Sequence, residues 1–226
     1  MTGFQADIAP VAALMADRGR AAMLTALLDG RPLAAGELAR TAGVSAPTAS
    51  AHLGRLLDGG LVTVVKQGRH RYYRLSGADV AEVIEALSRI SAPVEVRSLR
   101  QSRHARRLHR ARSCYDHLAG EAGVALYAAL MDGGSLDEEF EVTEKGAETF
   151  ARLGIDVGSL RKARRRFAGE CLDWTERRPH LNGALSAALL ARFVEIGWIE
   201  RGGDRELRVT EAGCAGLADS FGCVLP

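Results

Sequence analysis

Two groups of side chains in this 226-residue chain have types and spacings that could do chemistry. The first is Ser45, Thr48, Ser50, His52 and Arg55, followed at short range by Lys66, Arg69, His70 and Arg71. Hydroxyls near a helix start can donate to phosphate oxygens, and arginine and histidine can reach base edges. This set therefore suits double-stranded DNA. The second group is sulfur and imidazole: Cys114 with His117, and Cys171 with His180. Thiolate and imidazole suit zinc or another borderline metal ion, making these four residues candidate metal ligands. The same residues read equally as redox-active thiols or as packing, since a cysteine on an apolar element behaves as a small hydrophobe. No catalytic residues are expected, because no nucleophile–base–acid set and no nucleotide loop is present. An enzyme fused to a DNA-binding module has no residues in its support.

These side chains need elements to position them. Ile8, Val11, Leu14 and Met15, and then Met23, Leu24, Leu27 and Leu28, recur at helical spacing. A short helix is predicted over 35–42, stopped by Gly43, which permits a sharp bend. Ser45 is a suitable N-cap and Pro47 a suitable early-helix proline for the next helix, Thr48 to Leu57. Ala49, Leu53, Leu56 and Leu57 form its inner side, leaving the hydroxyls and Arg55 outside. The period then changes to two, across 61–65 and 71–75 around Gly68, and predicts a hairpin. Ser76 opens a further amphipathic helix, with Val80, Val83, Ile84, Leu87 and Ile90 as one stripe ended by Pro93. Helix, tight turn, helix and two-stranded wing is a DNA-reading order.

Beyond residue 113 the apolar spacing predicts helices over 114–131, 146–153, 159–172 and 180–196, with a hairpin across 197–210. Phe140–Gly146 resembles Leu207–Gly213, and Arg74–Gly77 is a fainter third copy; each reads as strand, hydroxyl N-cap, helix. The fold class expected is mainly α with small β-hairpin wings: an N-terminal winged helix-turn-helix plus a C-terminal helical domain containing winged-helix-like units. The expected boundaries are 1–95 for DNA binding and dimerisation, 96–112 for a basic linker helix, and 113–226 for a sensor or oligomerisation domain.

Charge is unevenly distributed. Residues 1–96 carry 10 basic and 9 acidic side chains, residues 97–112 seven arginines and no acid, and residues 113–226 13 basic and 19 acidic side chains. The central run, which includes Arg97, Arg103, Arg106, Arg107 and Arg112, reads either as a solvated linker or as extra phosphate contact. The shorter run from Arg161 to Arg166 lies in acidic surroundings and reads as surface. No apolar run approaches the ~20 residues of a membrane helix. The start of the chain lacks a signal-peptide pattern, so a cytoplasmic location is expected. The cysteines form no CxxC pair and are expected to be reduced thiols. Cys214 and Cys223 are expected to pack, Trp174 and Trp198 to anchor the core, and Gly120, Gly123 and Gly183 to permit close helix packing.

The stretch from Gly36 to Leu75 resembles the ArsR/SmtB family of winged-helix repressors. Ser45, Pro47, Thr48, Ser50, His52, Leu53 and Leu56 match its recognition helix, and Gly60, Leu61, Val62, Gly68, Arg69, Tyr72, Tyr73 and Leu75 match its wing. The resemblance covers about residues 8–92. It implies a homodimer, with the 80–90 stripe in the interface, acting as a repressor that an effector releases from its operator. An effector-independent architectural DNA-binder is the alternative. Two departures limit the carry-over. The segment Leu33–Leu38 lacks the cysteines of one family metal site, and Asp79, Glu82 and Glu85 lack the histidine of another. The segments around Cys114–Gly120 and Asp173–His180 resemble stretches of longer ArsR-like regulators, a similarity that assigns no ligand. The cofactor is therefore open between a metal ion, a small effector and none.

Overall fold

A computed structural model describes residues 6–68, 70–92 and 98–225. The chain folds as two units, 1–84 and 85–226.

The first unit starts with α1 (Ala9–Met15) and α2 (Arg18–Leu27). The buried Arg20 side chain donates from Nε to Leu14 O at 2.6 Å and from Nη2 to Ala13 O at 2.9 Å. One guanidinium thereby satisfies carbonyls that the end of α1 leaves open. A two-residue strand, β1 (Leu33–Ala34), leads into α3 (Ala35–Ala42), then α4 (Ala46–Asp58), β2 (Val62–Gln67) and β3 (His70–Leu75). The sheet order is β1-β3-β2, so the wing has a third strand that two residues were too short to announce. Met23, Leu24, Leu27, Leu28, Leu38, Leu53, Leu56 and Leu75 are almost fully buried and form the core. Next comes α5 (Ala78–Ile90), and the boundary between the units falls within it. On α5, Ile84 is buried, whereas Val83, Leu87 and Ile90 are 45%, 42% and 82% exposed.

The second unit continues with α6 (Leu99–Arg110), β4 (Arg112–Cys114), β5 (His117–Ala119) and α7 (Glu121–Asp132). It then has α8 (Glu144–Arg152), α9 (Val157–Arg161), β6 (Gly169–Leu172), β7 (Pro179–Asn182) and α10 (Ala184–Glu195). It closes with β8 (Ile199–Arg201), β9 (Leu207–Val209) and α11 (Glu211–Phe221). Leu130, Phe150, Leu185, Leu189, Phe193 and Leu217 centre its core.

The fold corrects three of the helices expected from sequence. The predicted helices over 114–131 and 180–196 each begin with a strand, and that over 159–172 is a five-residue helix followed by another strand. Cys114 and His117 thus lie across a two-residue hairpin turn instead of within the helix predicted over 114–131. Tyr115 sits in the turn at φ 61°, a left-handed conformation that no helix interior accommodates. Glycines then separate strand from helix: Gly120 at φ 79° before α7 and Gly183 at φ 100° before α10.

The second unit is a tandem repeat, longer than the short similarity read from sequence. Hairpin β4–β5 with α7 corresponds to hairpin β6–β7 with α10, and α8 corresponds to α11. Thr143 and Thr210 cap α8 and α11, each accepting from the backbone N–H three residues on at 3.0 Å. Those N–H groups belong to Gly146 and Gly213. A Cβ there would lie 2.0 Å from Ser135 O and 2.1 Å from Trp198 O respectively, so both helices press on the preceding backbone at the same point. In the first copy the hairpin before the cap has shrunk to a single bridge, Leu136 to Val142.

Candidate nucleic-acid interface and thiol–imidazole cluster

Gly43, at φ 65°, ends α3 in the left-handed conformation, and Val44 N donates back to Ala39 O at 3.0 Å. This closure turns the chain within three residues. Ser45 caps α4, accepting from Thr48 N at 3.3 Å, and its hydroxyl lies 2.8 Å from that of Thr48. Burying Ala49, Leu53 and Leu56 orients the helix. Thr48, Ser50 and Arg55 are exposed, with Ala51 and Gly54 between them on the helical wheel. A face with small residues at its centre and polar residues at its edges can approach base edges closely.

His52 does not belong to that face. Its side chain is 14% exposed, with Nε2 3.6 Å from Asp17 Oδ1 at the start of α2. A Cβ on Gly19 would come within 3.0 Å of the same nitrogen, so Gly19 leaves the room the imidazole occupies. The imidazole read from sequence as a base reader is thus turned toward the start of α2 in the free chain. Asp17 Oδ1 also accepts from Arg20 N at 2.9 Å, the main cause of its lowered pKa.

On the wing, Lys66, His70 and Arg71 are exposed, and Arg69 lies outside the described residues. Lys66 and Arg71 are register partners on β2 and β3, so two like charges sit opposite one another on one face of the ribbon. Such a pair is unfavourable in the free sheet and is relieved by an anion between the two cations.

The central arginine run is divided by the fold. Arg107 pairs with Glu206 at 2.8 Å, and Arg112 is 1% exposed, whereas Arg100, Arg103, Arg106 and Arg110 are exposed on α6. Arg97 lies outside the described residues. Arg161 and Arg165, read from sequence as surface charges, pair with Glu141 and Asp116.

The second candidate group comes together from two hairpins. Cys114 and His117 are register partners across β4–β5, as are Cys171 and His180 across β6–β7. One ligand atom from each of the four lies within 4.8 Å of all the others. The two Sγ atoms are 4.0 Å apart, and the imidazole centroids are 5.1 Å apart. All four side chains are buried, between 1% and 8% exposed. His117 Nε2 and both ring nitrogens of His180 are buried without a hydrogen-bond partner.

Carboxylates that the sequence reading did not single out stand behind both rings. Asp116 Oδ1 lies 3.5 Å from His117 Nδ1, and Asp173 Oδ2 lies 3.5 Å from His180 Nδ1. Each carboxylate has its own arginine. Arg165 binds Asp116 through both terminal nitrogens, and Arg112 Nη2 donates to Asp173 Oδ1 at 2.8 Å. Asp173 also accepts from Gly120 N at 2.7 Å and from Thr175 N at 2.9 Å. The repeated Cys-x-Asp of 114–116 and 171–173 was the available signal, and unequal loops before His117 and His180 obscured it.

The electrostatics follow this geometry. Cys114 and Cys171 are coupled through their sulfur–sulfur contact, which pushes the Cys114 thiol up and holds Cys171 well below the usual thiol range. The two imidazoles assist by lowering Cys171 further. Burial alone would lower His117, but Asp116 and Cys171 outweigh it and raise the ring. Burial works against Asp173 too, and Arg112 overcomes it, holding the carboxyl well below 3.8. Of the remaining thiols, Cys223 is buried and pushed up to about 11, while Cys214 is exposed rather than packed. Trp198 stacks on Phe193 at 5.4 Å, and Trp174 is 36% exposed beneath the Arg112 guanidinium.

Comparison with known proteins adds two kinds of likeness. Residues 15–65 match the family described as a helix-turn-helix domain. The chain is 47% identical over 211 residues to the HTH-type transcriptional regulator YdfF of Bacillus subtilis, covering 92% of this chain and 93% of that one. Among solved structures, HlyU of Vibrio cholerae shares 34% identity over 36% of this chain and 87% of its own, with a TM-score of 0.34. The homodimeric winged helix-turn-helix domain Mb0332 of Mycobacterium bovis, a possible ArsR-family regulator, shares 32% over 38% of this chain and 86% of its own, with a TM-score of 0.33.

Proposed function

Because the chain belongs to the ArsR-type winged helix-turn-helix transcriptional regulators, we propose that it acts as a homodimeric repressor of its operator, released by an effector bound in the C-terminal unit. The observation that carries the DNA part is the wing: Lys66 and Arg71 are held opposite each other, beside a helix whose exposed side offers Thr48, Ser50 and Arg55. Backbone hydroxyl contacts set the register on the duplex and Arg55 reads a base edge. The exposed arginines of α6 add phosphate contact.

Support for the dimer comes from α5. Val83, Leu87 and Ile90 expose a continuous apolar stripe at i, i+4 and i+7. The same helix carries Glu85, which is buried and paired with Arg205 at 2.5 Å, and Arg205 Nε donates to Ser113 O at 2.9 Å, the residue before Cys114. An effector that shifts hairpin β4–β5 therefore reaches the dimer helix through one buried ion pair. It must bind the DNA-incompetent state more tightly, or it shifts no population. As a regulator the protein is cytoplasmic and not an enzyme.

A gel-shift titration on the chain's own upstream region tests the reading. Thr48→Ala with Ser50→Ala should weaken binding about tenfold or more, the worth of one or two hydrogen bonds to charged phosphates. Unchanged affinity in a folded variant refutes the assignment of α4. Glu85→Gln should retain DNA binding and blunt the response to the effector; an unaltered response refutes the proposed route.

A further inference from the structure

We infer that Cys114, His117, Cys171 and His180 form a closed four-ligand site for one divalent metal ion of the zinc class. The inference goes beyond DNA binding and stands on the cluster alone. Its main support is the orphaned imidazoles. A buried ring nitrogen without a partner is costly, and His117 and His180 each have such an Nε2; one ligand atom from each ring and each sulfur lies within 4.8 Å of the other three. A disulfide or ordinary packing would explain the cysteines and leave those nitrogens unsatisfied.

The carboxylates then fix which nitrogen is offered. Asp116 and Asp173 each stand 3.5 Å from an Nδ1, which favours the tautomer protonated there and leaves the Nε2 lone pairs of His117 and His180 for an ion. A carboxylate behind a ligating histidine orients the ring and raises its basicity. Zinc bonds of about 2.3 Å to sulfur and about 2.0 Å to nitrogen set tetrahedral edges of about 3.3–3.8 Å. The present separations, 4.0 Å between sulfurs and at most 4.8 Å overall, close to those edges with side-chain movements of about 1 Å or less.

Charge selects the ion. Two thiolates and two neutral imidazoles carry −2, which a divalent cation cancels, while Asp116 is balanced by Arg165 and Asp173 by Arg112. A monovalent or trivalent ion would leave net charge in a buried site. With four protein ligands no position remains open for a substrate, so the ion joins the two repeats without catalysing a reaction. Another histidine–carboxylate group among the described residues, His109 with Glu121 and Glu176, already closes on itself, with the ring nitrogens 3.2 and 3.1 Å from the two carboxylates.

The test uses the full chain purified under reductant. Elemental analysis and titration with Zn(II) should give one ion per chain. Co(II) in its place should show the visible bands of a tetrahedral ion together with thiolate charge-transfer absorption, which requires no variant. Cys171→Ser should abolish stoichiometric binding and Cys214→Ser should not. Asp116→Asn should keep the stoichiometry and weaken affinity about 10–100-fold. Reduced wild-type protein that takes up less than one equivalent overturns the inference, as does a cobalt spectrum without thiolate charge transfer or binding that survives Cys171→Ser.

Discussion

Replacing Lys66 and Arg71 together by alanine separates binding from folding with unusual clarity. The two side chains are register partners on the wing, and like charges directly opposite each other repel. Their removal should therefore leave the free protein as stable as before or stabilise it by about 0.2–1 kcal/mol. The effect on DNA should be the reverse. A dimer presents the pair twice, so the variant loses four cations, and each phosphate contact contributes about 0.9 to the slope of log affinity against log salt. The slope should become shallower by about 3.6, and the loss of affinity between 50 and 200 mM salt should shrink about a hundredfold. Fluorescence anisotropy on one operator duplex at five or six salt concentrations measures the slope, and thermal melting without DNA measures the stability. A slope unchanged within about 0.5 would refute phosphate contact by the wing. A sharply lowered melting temperature would refute the claim that the pair is unfavourable in the free protein.

Three further outcomes are expected. Leu87→Glu with Ile90→Glu should convert the protein to monomers in sedimentation experiments and abolish operator binding while leaving the fold intact, since both side chains are exposed on the single chain. His52→Ala should cost about 1–2 kcal/mol of stability yet change the DNA affinity of folded protein less than about threefold, as a brace would and a base reader would not. Asp173→Asn leaves the Arg112 guanidinium buried beside a neutral group and should cost about 3–5 kcal/mol in urea denaturation at neutral pH. Because the folded pKa of Asp173 lies below 3.8, its contribution is fully present above about pH 4 and is lost as pH falls through the lower folded value. The difference between wild type and Asp173→Asn should therefore narrow only in acid.

The N-terminal unit was legible because its information is local. Periodicity placed α4 and the wing, and Gly43 and Ser45 marked the turn between helices by residue type alone. The direction of His52 was not legible because it sits at the edge of the exposed arc, where a helical wheel cannot say which way an imidazole turns; Asp17 and the space left by Gly19 decide that. In the C-terminal unit, strands of three or four residues carry no readable period, and a separation of three suits a helix face and a two-residue hairpin equally well. Cys114, His117, Cys171 and His180 were singled out for their chemistry rather than their geometry. Their shared location depends on pairing between segments 57 residues apart, as do the roles of Arg112, Asp116 and Asp173, and no local pattern encodes it.

The tandem construction of the second unit also sets an order of assembly. During synthesis, hairpin β4–β5 leaves the ribosome well before β6–β7 exists. In that interval the Arg112 guanidinium and the Gly120 N–H lack Asp173, and Cys114 and His117 lack the other two members of their group. The first copy therefore cannot complete its own interior and must wait, partly open, for the second. The N-terminal unit needs no such partner. The N-terminal unit is synthesised before either hairpin, and the interval before β6–β7 emerges is when the Cys114 thiol is most accessible to oxidants.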